Sequence, residues 1–320
     1  MFGFSRSILP VLCLTFVVGC TSPEEPPPKP GATPAPATGT AAIDSTAHAR
    51  EVEAWRAQRE TGLRNPQGWF SLVGLYWLKE GENRIGSDPG STVILPEGRA
   101  PAVAGTLVRR GGAVRLEAAP GVPLQIDGRP VTAADLVSDE KGKPTEVRLG
   151  SLGFFLIQRG ERLGVRVRDS ASPALASFQG LDNYPVDPAW RVSARFEPYQ
   201  PPRPVAVPNI LGDVEEQASP GAVVFERDGA THRLDALEGG EDGSLFLIFA
   251  DATNQTETYG AGRFLDTAPP KDGQVVVDFN QSYNPPCAFT AFATCPLPPQ
   301  QNRLALDVRA GEKKYGTGHP

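Results

Sequence analysis

Between residues 251 and 313 the sequence concentrates side chains that bind through directional hydrogen bonds. "DATNQTETYGAGRFL" supplies Tyr259 and Arg263, and "DFNQSYNPPCAFTAFATCPLPPQQNRL" supplies Asp278, Asn280, Tyr283, Asn284, Asn302 and Arg303. Arg offers a planar fork to a carboxylate or phosphate, and Asn offers both a donor and an acceptor. Such a set suits a small polar or glycan-like ligand. Glu312, in "AGEK", adds a second carboxylate to Asp278. Two carboxylates can divide the acid and base roles of a hydrolysis, with Arg263 placing the substrate, so Asp278 and Glu312 are the candidate catalytic pair. The competing reading is structural, because Asn, Asp and Arg beside prolines often satisfy backbone groups in irregular corners.

Other chemistries are thinly represented. The chain has no Gly-x-Ser-x-Gly elbow, His-Glu-x-x-His, Walker loop or Cys-x-x-Cys. "GAGRFL" begins like a Gly-x-Gly loop but lacks the later glycine and a βα context. His48, His232 and His319 show no ligand spacing, so neither a metal nor a cofactor is expected. Net charge is −6 with the two signs interleaved, which leaves no basic stripe for nucleic acid.

The candidate residues need a scaffold, and strands dominate the body. Asp44 or Ser45 can cap a helix through "AHAREVEAWRAQRETG", stopped by Gly62 and Asn65-Pro66, with Val52 and Trp55 as its small apolar face. The aromatic run "GWFSLVGLYW" is expected in the core, with a ligand-stacking platform as the alternative. Gly111-Gly112 marks a hairpin, and Val114 and Leu116 alternate with Arg115 and Glu117. Arg166 and Arg168 read as a solvated strand face, or alternatively as an anion-binding one. After "FQGLDNYPVDPAW" a second run of strands includes "WRVSARFEPY", "SLFLIFAD", "GRFLDT", "QVVVDFN" and "NRLALDVRAG". "SLFLIFA" lacks alternation and is expected to be buried on both faces. "EPYQPPRPVAVP" reads as a loop along a sheet edge, with a linker or a polyproline ligand as the alternatives.

The N-terminus reads as an address. Arg6 precedes an apolar run from Ile8 to Val18 that is short for a membrane span, and Val17-Val18-Gly19-Cys20 resembles a bacterial lipobox. Residues 1–19 are then a signal peptide, Cys20 is the lipidated residue, and residues 20–42 are a Pro/Ala-rich tether. The expected partner is the membrane, through that anchor. Thr21 favours the outer membrane, facing the periplasm, if the cell is Gram-negative. Cys287 and Cys295 are left as a pair in an oxidising compartment and are expected to be bridged, the alternative being a metal site that lacks further ligands.

Two resemblances follow from quoted motifs. Gly81, Ile85-Gly86-Ser87, Ile94-Leu95 and Asp127-Gly128-Arg129 fall where a forkhead-associated sandwich has its landmarks, over about residues 79–169. Ser87 replaces that family's Arg, and "APAVAGTL" has no Ser-x-x-His, so the resemblance implies a scaffold or protein-contact module without phosphothreonine reading. "TYGAGRFL", the stretch from Asp278 to Leu304, "AGEK" and "GWFSLVGLYWLKEGENRIGS" resemble the bacterial family catalogued as domain of unknown function 1684, over about residues 50–313. That resemblance implies one two-part unit and supplies no catalytic residue.

The expectation is an all-β protein with one short N-terminal helix. A forkhead-associated-like β-sandwich, in a domain over 43–175, packs against a second β-rich domain over 176–320. Binding of a small polar or glycan-like ligand, or of an envelope protein, is the expected function. Hydrolysis and a purely structural envelope role are the alternatives.

Overall fold

The computed structural model describes residues 44–316. The signal peptide, Cys20 and the tether expected from the sequence lie outside the described residues. Among those described, the chain is all-β except for an opening helix, Ser45–Leu63, a four-residue helical turn at Pro173–Ala176 and short 3-10 turns.

The opening helix starts where the sequence predicts. Asp44 caps it, its carboxylate accepting from the backbone N–H groups of Thr46 and Ala47 at 3.0 and 3.1 Å. His48, Val52, Trp55, Arg59 and Leu63 recur at helical spacing, so they share one face. His48, Val52 and Leu63 are buried, while Trp55 and Arg59 are half-buried.

Residues 72–169 form two sheets around one core. One runs in the order Leu72–Trp77, Arg162–Asp169, Leu152–Arg159, Val147–Leu149, Gln125–Ile126, Arg129–Pro130. The other runs Val93–Ile94, Gly81–Gly86, Gly105–Arg110, Ala113–Ala118, Ala133–Leu136. Ile85, Leu107, Leu116, Phe154, Leu156 and Val165 belong to the apolar layer between them. Arg110 pairs with Ala113 across the Gly111-Gly112 turn, and Val114 and Leu116 point inward while Arg115 and Glu117 are exposed.

Arg166 and Arg168 do not lie on a solvated face. Arg166 is 5% exposed and donates to the Phe292 carbonyl and to Thr294 Oγ1, with its guanidinium 5.8 Å from the Trp69 ring. Burial, helped by the nearby Arg159 charge, lowers its pKa to about 10. Arg168 lies over Phe155 at 4.5 Å, and burial lowers its pKa too. Over Arg166 this face is covered by the 290–295 loop, which no periodicity within the strand could reveal.

The second sheet has the order Arg263–Thr267, Leu245–Phe249, Ala230–Glu238, Val214–Arg227, Arg191–Pro208, Gln274–Asp278. "SLFLIFA" is an interior strand buried on both faces. Leu245, Leu247 and Phe249 enter the core with Phe225 and Phe279, whereas Ile248 joins a cluster containing Phe264, Cys287 and Cys295. The proline-rich stretch is not a loop: one strand runs from Arg191 to Pro208. Gln274–Asp278 flanks only Arg191–Arg195, so beyond that point the strand is an edge, where prolines need no outward N–H.

"NRLALDVRAG" is not a strand either. It is extended, with Leu304, Leu306, Val308 and Ala310 buried and Arg303, Ala305, Asp307 and Arg309 exposed. The alternation is real, but the chain pairs with a sheet only in part, through Ala250 and Ala252. Farther along, an arginine takes the place of a neighbouring strand.

Candidate functional site

That arginine is Arg263. It is fully buried and ion-paired with Asp251 at 2.8 Å, and it donates to the carbonyls of Val308 and Ala310. The fork therefore supplies donors to a lone extended tail and does not face a ligand, contrary to the role expected from the sequence. Gly262, just before it, packs where only a glycine fits: its φ is +94°, and a Cβ there would stand 2.5 Å from Pro298 Cγ and 2.6 Å from the Phe249 carbonyl.

The rest of the polar cluster divides in the same way. Asp278 accepts from the Asn280 backbone N–H and side-chain amide, lies 2.6 Å from His48 Nε2, and has Arg191 at 3.9 Å. Asn280 also ties the 187 loop down, accepting from the Asp187 N–H and donating to its carbonyl. Asn302 brackets Asp235 through both of its backbone groups and donates to Ile248. Arg303 is exposed, and Tyr259 packs around the disulfide, where burial raises its phenol pKa. Cys287 and Cys295 are bridged, with Cα atoms 6.1 Å apart.

Glu312 follows Gly311, whose φ of +77° lets the chain pass so close to Ser282 that a Cβ would stand 2.4 Å from its carbonyl oxygen. The Glu312 carboxylate is 1% exposed; it accepts from Arg59 Nε at 2.5 Å and from the Asn284 backbone N–H at 2.8 Å. Asp278 and Glu312 are thus each committed to internal partners, and neither lines the cleft described next, so the hydrolytic pair expected from the sequence finds no shared opening here.

What the cluster does build is one wall of a cleft. Arg59, held by Glu312 and donating to the Asn284 carbonyl at 2.9 Å, stacks over the Tyr283 ring at 4.4 Å. Tyr283 donates its hydroxyl to Asp266 at 2.8 Å and meets Phe264 edge-on. Burial, and then the Asp266 charge, push the Tyr283 phenol far above the ordinary tyrosine pKa, so it stays a donor. Trp55 and Gln58 close the helix side, Trp69 and Phe289 a second, and Phe246 and Phe264 the sheet side. The enclosed volume is about 590 Å³, within the range of small-molecule sites.

Of the site residues expected from the sequence, Tyr283 and Asn284 line this cleft, joined by Trp69 from the run whose alternative reading was a stacking platform. Trp55, Gln58, Arg59 and Asp266 were not expected. One signal was present: Arg59 follows Trp55 by four residues on the helix, which places both on the face that carries Val52. Trp69 belongs to the aromatic run expected in the core; it half-reaches that core and half-lines the opening.

Comparison with known proteins adds a family but no activity. Residues 176–313 match the family described as protein of unknown function (DUF1684). The Tyr283 to Asn302 corner, Arg263 and Glu312 all lie inside that DUF1684 segment, whereas Trp55, Arg59 and Trp69 lie before it. No curated protein matches the chain. Among solved structures, an uncharacterized protein of Haloarcula marismortui is 32% identical over 43% of this chain and 78% of its own, with a TM-score of 0.37. An FHA domain with phosphothreonine-dependent interactions is 18% identical over 29% of this chain and 92% of its own (TM-score 0.22). The Slr1951 protein from Synechocystis sp. is 18% identical over 28% and 82% (TM-score 0.21).

Proposed function

We propose that the protein is a lipid-anchored binding protein of the bacterial envelope and that the cleft between the opening helix and the DUF1684 domain is its binding site. The observation that carries the reading is the composition of that cleft. Trp55, Trp69, Phe264 and Tyr283 offer aromatic faces, and Asp266 and Gln58 stand among them as hydrogen-bonding groups. Apolar walls with a few fixed polar groups suit a small ligand that combines a flat apolar face with polar substituents, as glycans do. Arg59 is pre-organised by Glu312 and Tyr283, so little side-chain ordering is left to oppose binding. The anchor rests on the run from Ile8 to Cys20 in the sequence.

The test uses the two cleft tryptophans as reporters. Small aromatic and saccharide ligands are screened for a shift in tryptophan fluorescence together with a rise in melting temperature. Trp55→Ala, at a half-exposed helix position, should fold normally and weaken any hit by roughly tenfold or more, the scale of one lost aromatic contact. A panel with no hit, or hits indifferent to Trp55→Ala, overturns the cleft as the site. Metabolic labelling with an alkyne fatty acid, lost in Cys20→Ala, tests the anchor.

A further inference from the structure

The cleft contains one charge that the chain does not balance. Arg59 is matched by the buried Glu312, whose carboxylate oxygen sits 2.5 Å from Nε, so this cation has little net attraction left for an anion. Asp266 is different. It accepts the Tyr283 hydroxyl, which is neutral, and no Lys, Arg or His among the described residues comes within ion-pair distance of it. This exposed carboxylate beside aromatic faces forms an environment that attracts positive charge, both by direct pairing and through the rings' negative faces.

Resting on the reading of this cleft as a binding site, we infer that its ligand carries a protonated amine next to a flat apolar group, with Asp266 as the counter-ion. The ammonium binds at the Asp266 carboxylate, and the apolar part lies against Trp55, Trp69 and Phe264. Tyr283 keeps Asp266 in place: its phenol holds its proton, so it donates to the carboxylate at neutral pH and does not compete as an anion.

Three probes of nearly equal shape separate the charge from the apolar contact: phenethylamine, 2-phenylethanol and 3-phenylpropionate. Each is titrated calorimetrically into the wild-type protein and into Asp266→Asn, which keeps an acceptor for Tyr283. The expected result is that the amine binds about two- to fivefold more tightly than the alcohol, the scale of an ion pair at an exposed carboxylate, and the acid most weakly. Asp266→Asn should reduce the amine to the level of the alcohol and leave the alcohol unchanged. Raising the salt concentration should weaken the amine alone. If amine and alcohol bind equally, or the amine is indifferent to Asp266→Asn, the charge assignment is wrong while the cleft remains a site. If none of the three binds the wild-type protein, the site reading and this inference both fall.

Discussion

Replacing Arg263 by Met removes the guanidinium but keeps a side chain of similar reach. Three close acceptors lose their partner at once, Asp251 Oδ2 and the carbonyls of Val308 and Ala310, and the longer 3.4 Å contact to the Glu312 carbonyl goes with them. Breaking a fully buried ion pair from one side costs about 3–5 kcal/mol, because the remaining charge has nowhere to go. Each orphaned carbonyl adds on the order of 1 kcal/mol unless the tail moves to let water reach it. A total loss of about 5–7 kcal/mol is comparable with the roughly 5–15 kcal/mol that holds a typical domain together. Urea unfolding followed by tryptophan fluorescence should show a midpoint lowered by more than about 1 M. The double variant Asp251→Asn/Arg263→Met should recover part of this, since no uncompensated charge is left buried. A midpoint within about 0.2 M of wild type for Arg263→Met, at unchanged slope, would refute the role of Arg263 as the tail's surrogate strand.

Other outcomes follow from the same contacts. The pair Cys287→Ser/Cys295→Ser should lose about 2–3 kcal/mol, the loop-closure entropy of a bridge spanning eight positions, read as a lower urea midpoint that reductant reproduces in the wild type. Arg166→Ala should destabilise by about 1–3 kcal/mol, since it strips a buried donor from Phe292 and Thr294 where the sandwich meets the 290–295 loop; an unchanged midpoint would mean the loop re-forms without it. Burial and donation to Glu257 push the Tyr184 phenol up to about 12, and Tyr283 is raised further. Both folded values lie above the ordinary 10.0, so this contribution is complete below about pH 10 and is lost as pH rises from there toward about 12. Urea midpoints at pH 9 and pH 11 should therefore diverge in the wild type and less so in Tyr184→Phe.

Much of the architecture is local and legible in the sequence. The helix cap at Asp44, the Gly111-Gly112 hairpin, the alternation through Val114 and Leu116, and the unbroken apolar run at Leu245–Phe249 each depend on neighbours in sequence, and each stands where expected. The pairing of Cys287 with Cys295 needed only a count. The readings that failed involve partners far along the chain. Nothing near Leu304–Ala310 says that its alternating face meets a guanidinium instead of a strand, and nothing near Arg166 says that a loop more than a hundred residues later covers it.

The same division explains the candidate site. Composition picked out the right stretch of chain, because a corner with little regular hydrogen bonding must draw its partners from Asn, Asp, Arg and Tyr side chains. Composition cannot say which of these side chains are consumed internally and which are left facing solvent. That was decided when helix Ser45–Leu63 laid His48 against Asp278 and Arg59 against Glu312. Those two long-range contacts used up both candidate catalytic carboxylates and left Trp55, Tyr283 and Asp266 around an open space. Sequence therefore determined the elements and the residue types at the corner, through local backbone preference and hydrophobic period. Only tertiary structure chose the site, because burial of a charge depends on which distant partner arrives to neutralise it.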